Sequence, residues 1–399
     1  MHVLLVNKYW YVRGGADRIA IASKKRLEEL GHTVSVFGMA HPKNIYKHRL
    51  FVPFVDYDAV TGMDRIRAGL QSIYNTDAKR RFRLFLEETR PDVIHLHNVY
   101  YQLSYSLVSV AKSMHIPVVL TTHDYQLLSP NYTLFRNGQV DTSVLGAQYY
   151  KCLFSRCLGS FSRSLAGTIE AYVRRWSGVH KSISHYISSS CFQKNLFVQS
   201  GWRSKDITVV ANAVPIPKAR ELSHKKGEYV FFMGRLSPEK GIDVLFDAAI
   251  KTPDISYKIA GAGSLFDHLK KRITHERISN IELVGYKSGK VLTRLIDGAR
   301  LVVVPSIWYE NSPLSILEAM ARGKVVLGSN IGGIPELLPR ECIFQPNNAD
   351  RLAQCITMWY SSPLSKREKC GAFLRSEVIH KYSIDHHVGK LLEVYRSVL

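Results

Sequence analysis

Short, nearly unbroken apolar runs recur along the chain, each followed by a longer stretch in which apolar and polar residues alternate with helical spacing. In the first half the runs are HVLLVN (2–7), TVSVFG (33–38), DVIHLHN (92–98) and PVVLTTH (117–123). In the second they are YVFFMG (229–234), SYKIAG (256–261), NIELVG (280–285), LVVVPS (301–306) and KVVLGS (324–329). A strand that is apolar on both faces must be covered on both, and strands separated by helices can pair in parallel. The pattern predicts an α/β fold of two Rossmann-like, doubly wound parallel-sheet domains. The alternation breaks at NAVPIPKARELSHKKGE (212–228), where prolines and charges read as a linker. The expected domains are 1–215 and 216–380, with a helix over 381–399 returning to the first. Two such sheets would face a central cleft at the carboxyl ends of their strands, where open sheets bind ligands.

The length of 399 residues suits two cores, and 46% hydrophobic with 22% charged residues is ordinary globular composition. The apolar runs are far shorter than the roughly 20 residues of a membrane span. MHVLLVNKYW at the start reads as a first strand, not a leader, so a cytoplasmic location is expected. The cysteines stand at 152, 157, 191, 342, 355 and 370. Their sparse spacing reads as reduced thiols, and no second pair supports a metal site at Cys152 and Cys157.

A net charge of +21 changes the picture more. Residues 1–215 hold 27 Lys and Arg against 14 Asp and Glu, and the remainder holds 27 against 19. Such a field attracts nucleic acid, anionic lipid or phosphorylated small molecules. The basic residues are scattered, not gathered in a stripe with interleaved aromatics, which disfavours nucleic acid. The most basic helical stretch, 61–91, sets Lys79, Arg80, Arg81 and Arg83 around Phe82, Leu84 and Phe85. It suggests peripheral contact with anionic membrane lipid at the inner face of the plasma membrane, the bland alternative being a solvated helix face.

Candidate chemistry gathers where strands end. In IWYENSPLSILEAMARGKVVLGS (307–329), Ser312 and Pro313 fit an N-cap and first helical position, predicting a helix from about Pro313 to Arg322 that stops at Gly323. The amides of Leu314 and Ser315 at that start would receive an anion or hydroxyls. Glu310 precedes them, and Glu318 tilts back toward them from inside the helix. GRLSPEKG (234–241) puts Arg235 and Lys240 just past another strand, where two cations can neutralise a diphosphate without a metal. Gly14 and Gly15 follow the first strand and open a helix, allowing close approach of a phosphate or sugar. His123 and Asp124 follow the fourth run, a buried structural histidine being the alternative there. DYD (56–58) resembles an acidic metal motif but lies apart from these residues, and no metal or other cofactor is expected.

Taken with GAGSL (261–265), LVGY (283–286) and AMARGKVVLGSNIGGIPEL (319–337), these motifs make the sequence resemble the retaining glycosyltransferases of family four, which have the GT-B fold. The stretches HDYQLLSPNYTLFRNGQ and KCLFSRCLGSFSRSLAGTIEAYVRRW give it the layout of bacterial members that build surface polysaccharides. The resemblance implies transfer of a sugar from a nucleotide diphosphate sugar to a glycan or polyprenyl-diphosphate-linked acceptor in O-antigen, capsule or exopolysaccharide synthesis. It favours uridine diphosphate over guanosine diphosphate mannose as the carrier. By it, Arg235 and Lys240 would bind the diphosphate, Glu318 the ribose and Glu310 the transferred sugar, with amides from Asn311 to Ser315 contributing. Gly285 and Tyr286 would hold the base, His123 would contact the donor sugar, and Gly15 the phosphate side. Other readings are a nucleotide-sugar epimerase or phosphorylase of the same fold, or a non-catalytic basic partner-binding protein. A nicotinamide-linked oxidoreductase is disfavoured because neither glycine-rich stretch has G-x-G-x-x-G spacing.

Overall fold

Every one of the nine apolar runs becomes a strand. The computed structural model describes residues 1–55, 69, 71, 73–222 and 227–399. DYD and residues 61–68 therefore lie outside the described residues. In the first half the runs form β1 (His2–Val6), β2 (Thr33–Phe37), β3 (Val93–Leu96) and β4 (Val118–Thr122). A short hairpin follows, β5 (Phe135–Arg136) with β6 (Gln139–Val140), and then β7 (His185–Ser188) and β8 (Ile207–Val209). Apart from the hairpin these strands make one parallel sheet in the order β2-β1-β3-β4-β7-β8. Val3, Leu4, Leu5 and Val6 are wholly buried, as an unbroken apolar run between two helical layers must be.

The second half builds β9 (Tyr229–Met233), β10 (Tyr257–Ala260), β11 (Ile281–Gly285), β12 (Ala299–Val304), β13 (Val325–Ser329) and β14 (Ile343–Phe344). They too are parallel, in the order β11-β10-β9-β12-β13-β14. Both sheets are of the expected Rossmann-like kind. The chain divides into two compact units, Met1–Thr133 with Thr142–Ala211 and Ile384–Leu399, and Leu134–Asp141 with Asn212–Ser383. The last helix, Ile384–Val398, belongs to the first unit, burying Val388, Leu391 and Tyr395 and making polar contacts with it. Arg26 pairs with Asp385 at 2.5 Å, Tyr395 bonds His95 at 2.6 Å, and His387 donates to the Ala211 carbonyl at 2.7 Å.

Two expectations need correction. The presumed linker is packed from its start: Val214 is buried, and its amide bonds the Tyr382 carbonyl at 3.1 Å. Apolar Val214 and Ile216 give it a place on the second core that its prolines and charges conceal. Cys152 and Cys157 are joined in a disulfide, not reduced. A left-handed turn at Arg156 brings their Cα atoms to 4.8 Å, which the spacing alone does not reveal. In the described part of the basic stretch, the helix Thr76–Thr89, Phe82 and Phe85 pack on Phe37 with ring centroids 4.9 and 5.3 Å away, while Leu84 is exposed. Asp77 binds Arg80 and Arg81 of the same helix at 3.0 and 2.7 Å.

In the second unit the strand order reverses between the neighbouring strands β9 and β12, the switch point at which open sheets bind ligands. Backbone contacts lock the loops after these strands together. The Ile307 amide donates to the Glu239 carbonyl at 3.0 Å. Gly241 has φ +65°, and a Cβ there would stand 1.9 Å from the Pro305 carbonyl oxygen. Gly241→Ala should therefore lower stability by about 2–4 kcal/mol, through left-handed strain and forced separation of the loops. Thermal unfolding with unchanged midpoint in that variant would contradict this packing.

Candidate functional site

Lys240 ends the single turn Pro238–Lys240 in the loop after β9, and Glu310 lies within the loop after β12. The Lys240 Nζ lies 2.6 Å from Glu310 Oε1, and the same oxygen accepts from the Ser306 hydroxyl at 2.8 Å. Trp308 covers the pair, with the ammonium 5.1 Å from its ring centroid. Glu310 is buried, which by itself would raise its pKa. The charge of Lys240 and the bonds to it outweigh burial and hold the carboxyl below the usual glutamate range.

Glu310 is fixed from behind as well. Gly332, at φ +62°, lets the loop after β13 pass so close that a Cβ would meet the Glu310 carbonyl at 2.3 Å. The Gly333 amide then donates to that carbonyl at 2.6 Å. Ser306 and Trp308 were not singled out in the sequence, and Gly332 and Gly333 stood there only within the motif AMARGKVVLGSNIGGIPEL. The loop after β10 is fitted the same way: at Gly261 a Cβ would lie 2.0 Å from the Gly234 carbonyl, and at Gly263 2.2 Å from that of Leu236.

The other predicted residues of this unit fall around the pair. Arg235 is exposed on the Lys240 loop and has no ion-pair partner among the described residues. Asn311 continues the Glu310 loop, and Ser312 is a correction. The helix is Leu314–Ala321 with Pro313 in the cap position, in extended backbone at φ −68°, ψ 119°. Ser312 is thus one residue too far out to cap, its carbonyl accepts from Asn212 at 2.9 Å, and its buried hydroxyl has no hydrogen-bond partner among the described residues. Leu314 and Ser315 do open the helix, where amides lack intrahelical acceptors. Glu318 sits half-buried one turn in. Gly285 closes β11 at φ +70°, and Tyr286 beyond it is 70% exposed.

In the first unit, Gly14 precedes the helix Gly15–Glu29. Its amide and that of Arg13 donate to Asp17 Oδ2 at 3.1 and 3.2 Å, while Asn7 holds the other oxygen at 2.9 Å. Gly14 is extended, and a Cβ there would meet nothing within 4 Å, so internal packing does not demand the glycine. His123 and Asp124 line a small recess with His97, Asn98, Tyr100 and Thr122. Asp124 accepts from the Tyr100 hydroxyl, and burial raises its pKa. Lys8 lies 4.8 and 4.9 Å from the ring centroids of Tyr100 and Tyr101, its pKa pushed down to about 8 by burial.

His123 belongs to a cluster that the sequence showed only as isolated letters. Its Nε2 is 2.9 Å from His97 Nδ1, and the His97 ring lies 4.2 Å from that of His95. Burial holds all of them neutral: His95 and His123 fall to about 3, His387 to about 4, and His97 well below the usual value.

The family model described as Glycosyltransferase Family 4 matches residues 13–217, over half of the chain. The chain belongs to glycosyltransferase family 4. A second model, Glycosyl transferases group 1, covers residues 216–376 of this glycosyltransferase. A 42.6 kDa protein in the cps region of Klebsiella pneumoniae is 26% identical over 353 residues, spanning 84% of this chain and 87% of its own. A UDP-Gal:alpha-D-GlcNAc-diphosphoundecaprenol alpha-1,3-galactosyltransferase of Escherichia coli is 26% identical over 195 residues, 45% of this chain and 48% of that protein. Among solved structures, Anabaena HepE in complex with UDP and glucose superposes with a TM-score of 0.70 at 16% identity, covering 100% of both chains. That likeness carries the GT-B fold.

The buried histidines give this glycosyltransferase a pH signature. Each has a folded pKa below its unfolded value near 6.5, so below that pH the unfolded chain takes up protons that the folded chain refuses. Their stabilising contribution is complete above about pH 7 and is lost progressively toward their folded values of about 3 to 4. Urea midpoints of the first unit should fall steadily from pH 7.5 to 5. Midpoints that stay flat over that range would show the histidines to be accessible or already charged.

Proposed function

We propose that the second unit binds a nucleotide diphosphate sugar at the crevice between the β9 and β12 loops and that the enzyme transfers the sugar with retention. The observation that carries this is the pairing of Lys240 with the buried Glu310, beside the exposed Arg235. Arg235 would take the diphosphate directly, and Lys240 would share its charge between diphosphate and Glu310. The amides of Leu314 and Ser315 would add donors from the helix start. Charge grows on the leaving diphosphate as the glycosidic bond breaks, so fixed cations and amides stabilise the transition state most. Arg235 and Lys240 can supply that charge without a metal.

In this reading Glu318 receives the ribose, Gly285 and Tyr286 the base, Glu310 and Asn311 the sugar. In the first unit His123 and the Gly14–Gly15 turn serve the same reaction, and the acceptor is a glycan or polyprenyl-diphosphate-linked oligosaccharide. A uridine diphosphate donor is supported by HepE, which holds UDP and glucose, and by the galactosyltransferase, whose name gives a UDP-sugar and a diphosphoundecaprenol acceptor. The relative in the cps region supports surface polysaccharide as the product. Proton transfer from the acceptor hydroxyl to the leaving phosphate, on the face the donor leaves, fits retention without a protein nucleophile.

Arg235→Ala offers the cleanest test because Arg235 makes no ion pair among the described residues that the substitution would break. The unfolding midpoint should stay where it is, while UDP affinity measured by titration calorimetry falls about 10- to 100-fold, the worth of one charge-assisted contact. Glu310→Gln should keep UDP affinity within a few-fold and cut transfer about 100-fold or more. Full UDP affinity in the Arg235 variant, or full transfer in the Glu310 variant, would remove those residues from the site.

A further inference from the structure

We infer that the helix Phe161–Trp176, with the adjoining Phe154, is a docking surface for anionic bilayers, deepening the reading of a lipid-linked acceptor given above. The helix is turned opposite to a core helix. Its buried positions are Ser164, Thr168, Ala171 and Arg174, whereas Phe161, Leu165, Ile169, Val173 and Trp176 are exposed. Spaced by four, four, four and three residues, the exposed five fall on roughly a third of the helix circumference. Phe154 and Trp176 are 82% and 77% exposed, more than any other large apolar side chain described. A contiguous apolar strip of this kind marks an interaction site.

The inward side explains why the strip cannot turn over. Arg174 donates to Glu170 at 2.6 and 2.7 Å and to the Gln126 carbonyl at 2.7 Å, and Gly167 leaves room for Leu158, which a Cβ would strike at 2.6 Å. The Cys152–Cys157 disulfide closes the turn next to Phe154.

Charge selects the occupant. Between residues 142 and 205 there are nine Lys and Arg and one acidic residue, Glu170, whose carboxylate is consumed by Arg174. Arg163 and Arg175 are exposed on the helix itself. Aromatic and aliphatic residues on one side with arginines flanking them suit a helix lying in the headgroup region of an anionic membrane. The helix Thr76–Thr89, more basic in sequence, does not compete, because its phenylalanines are inside.

The test uses the whole chain and sedimentable vesicles, either pure phosphatidylcholine or three parts phosphatidylcholine to one of phosphatidylglycerol. The unsubstituted protein should sediment with the anionic vesicles only. Phe154→Ser combined with Trp176→Ser should weaken that binding at least about tenfold, and Arg163→Ser combined with Arg175→Ser should weaken it at low salt. The UDP-induced rise in unfolding temperature should be the same in all three proteins. Vesicle binding unchanged in the aromatic variant overturns the inference. So does a dimer in sedimentation velocity that this variant dissolves, since a second copy would then be the occupant. Intact vesicle binding with no UDP response in any protein would support the surface while counting against the donor site.

Discussion

The Lys240–Glu310 pair depends on a close approach of two backbones. Loops from β9 and β12 meet because the two strands are neighbours in the sheet, and the Glu239–Ile307 hydrogen bond with the bare Cα of Gly241 fixes the distance. Only at that distance do Lys240 and Glu310, far apart in sequence, reach hydrogen-bonding range. Lys240 then holds the Glu310 carboxyl below the usual glutamate range against the cost of burial, and Ser306 and Trp308 complete the surroundings. Glycines recur at these loop contacts because carbonyl oxygens occupy the space a side chain would need.

How much of this could be read in advance follows from the strength of each signal. The nine runs were legible because strands buried on both faces leave no choice but continuous apolar sequence. β7, β8 and β14 were not, since HYIS, ITV and IF are too short or too polar to stand out. Lys240 and Glu310 were legible as separate candidates at strand ends, but their bond depends on sheet order. Ser312 misled because one extended residue at Pro313 moved the helix start along, and Cys152–Cys157 misled because sparse cysteines resemble unpaired ones. The helix Phe161–Trp176 looks conventional in sequence, where the periodic apolar positions do not reveal which side is turned outward.

The first unit shows a different constraint. Three histidines stand near the ends of β3 and β4, with His387 contributed by the last helix, and each is kept uncharged by burial. His95 is satisfied on both nitrogens by Thr121 and Tyr395, so this strand histidine is a polar member of the core. His97 instead spends one nitrogen on His123 and thereby sets the orientation of a residue that lines the recess.

The helix Ile384–Val398 also orders events at birth. Residues 384–399 supply wholly buried Leu391 and Tyr395 to the first unit, yet the ribosome makes them after the entire second unit. The second unit can fold as it emerges, whereas the first is incomplete until residues 384–399 are made and His95 gains its Tyr395 partner.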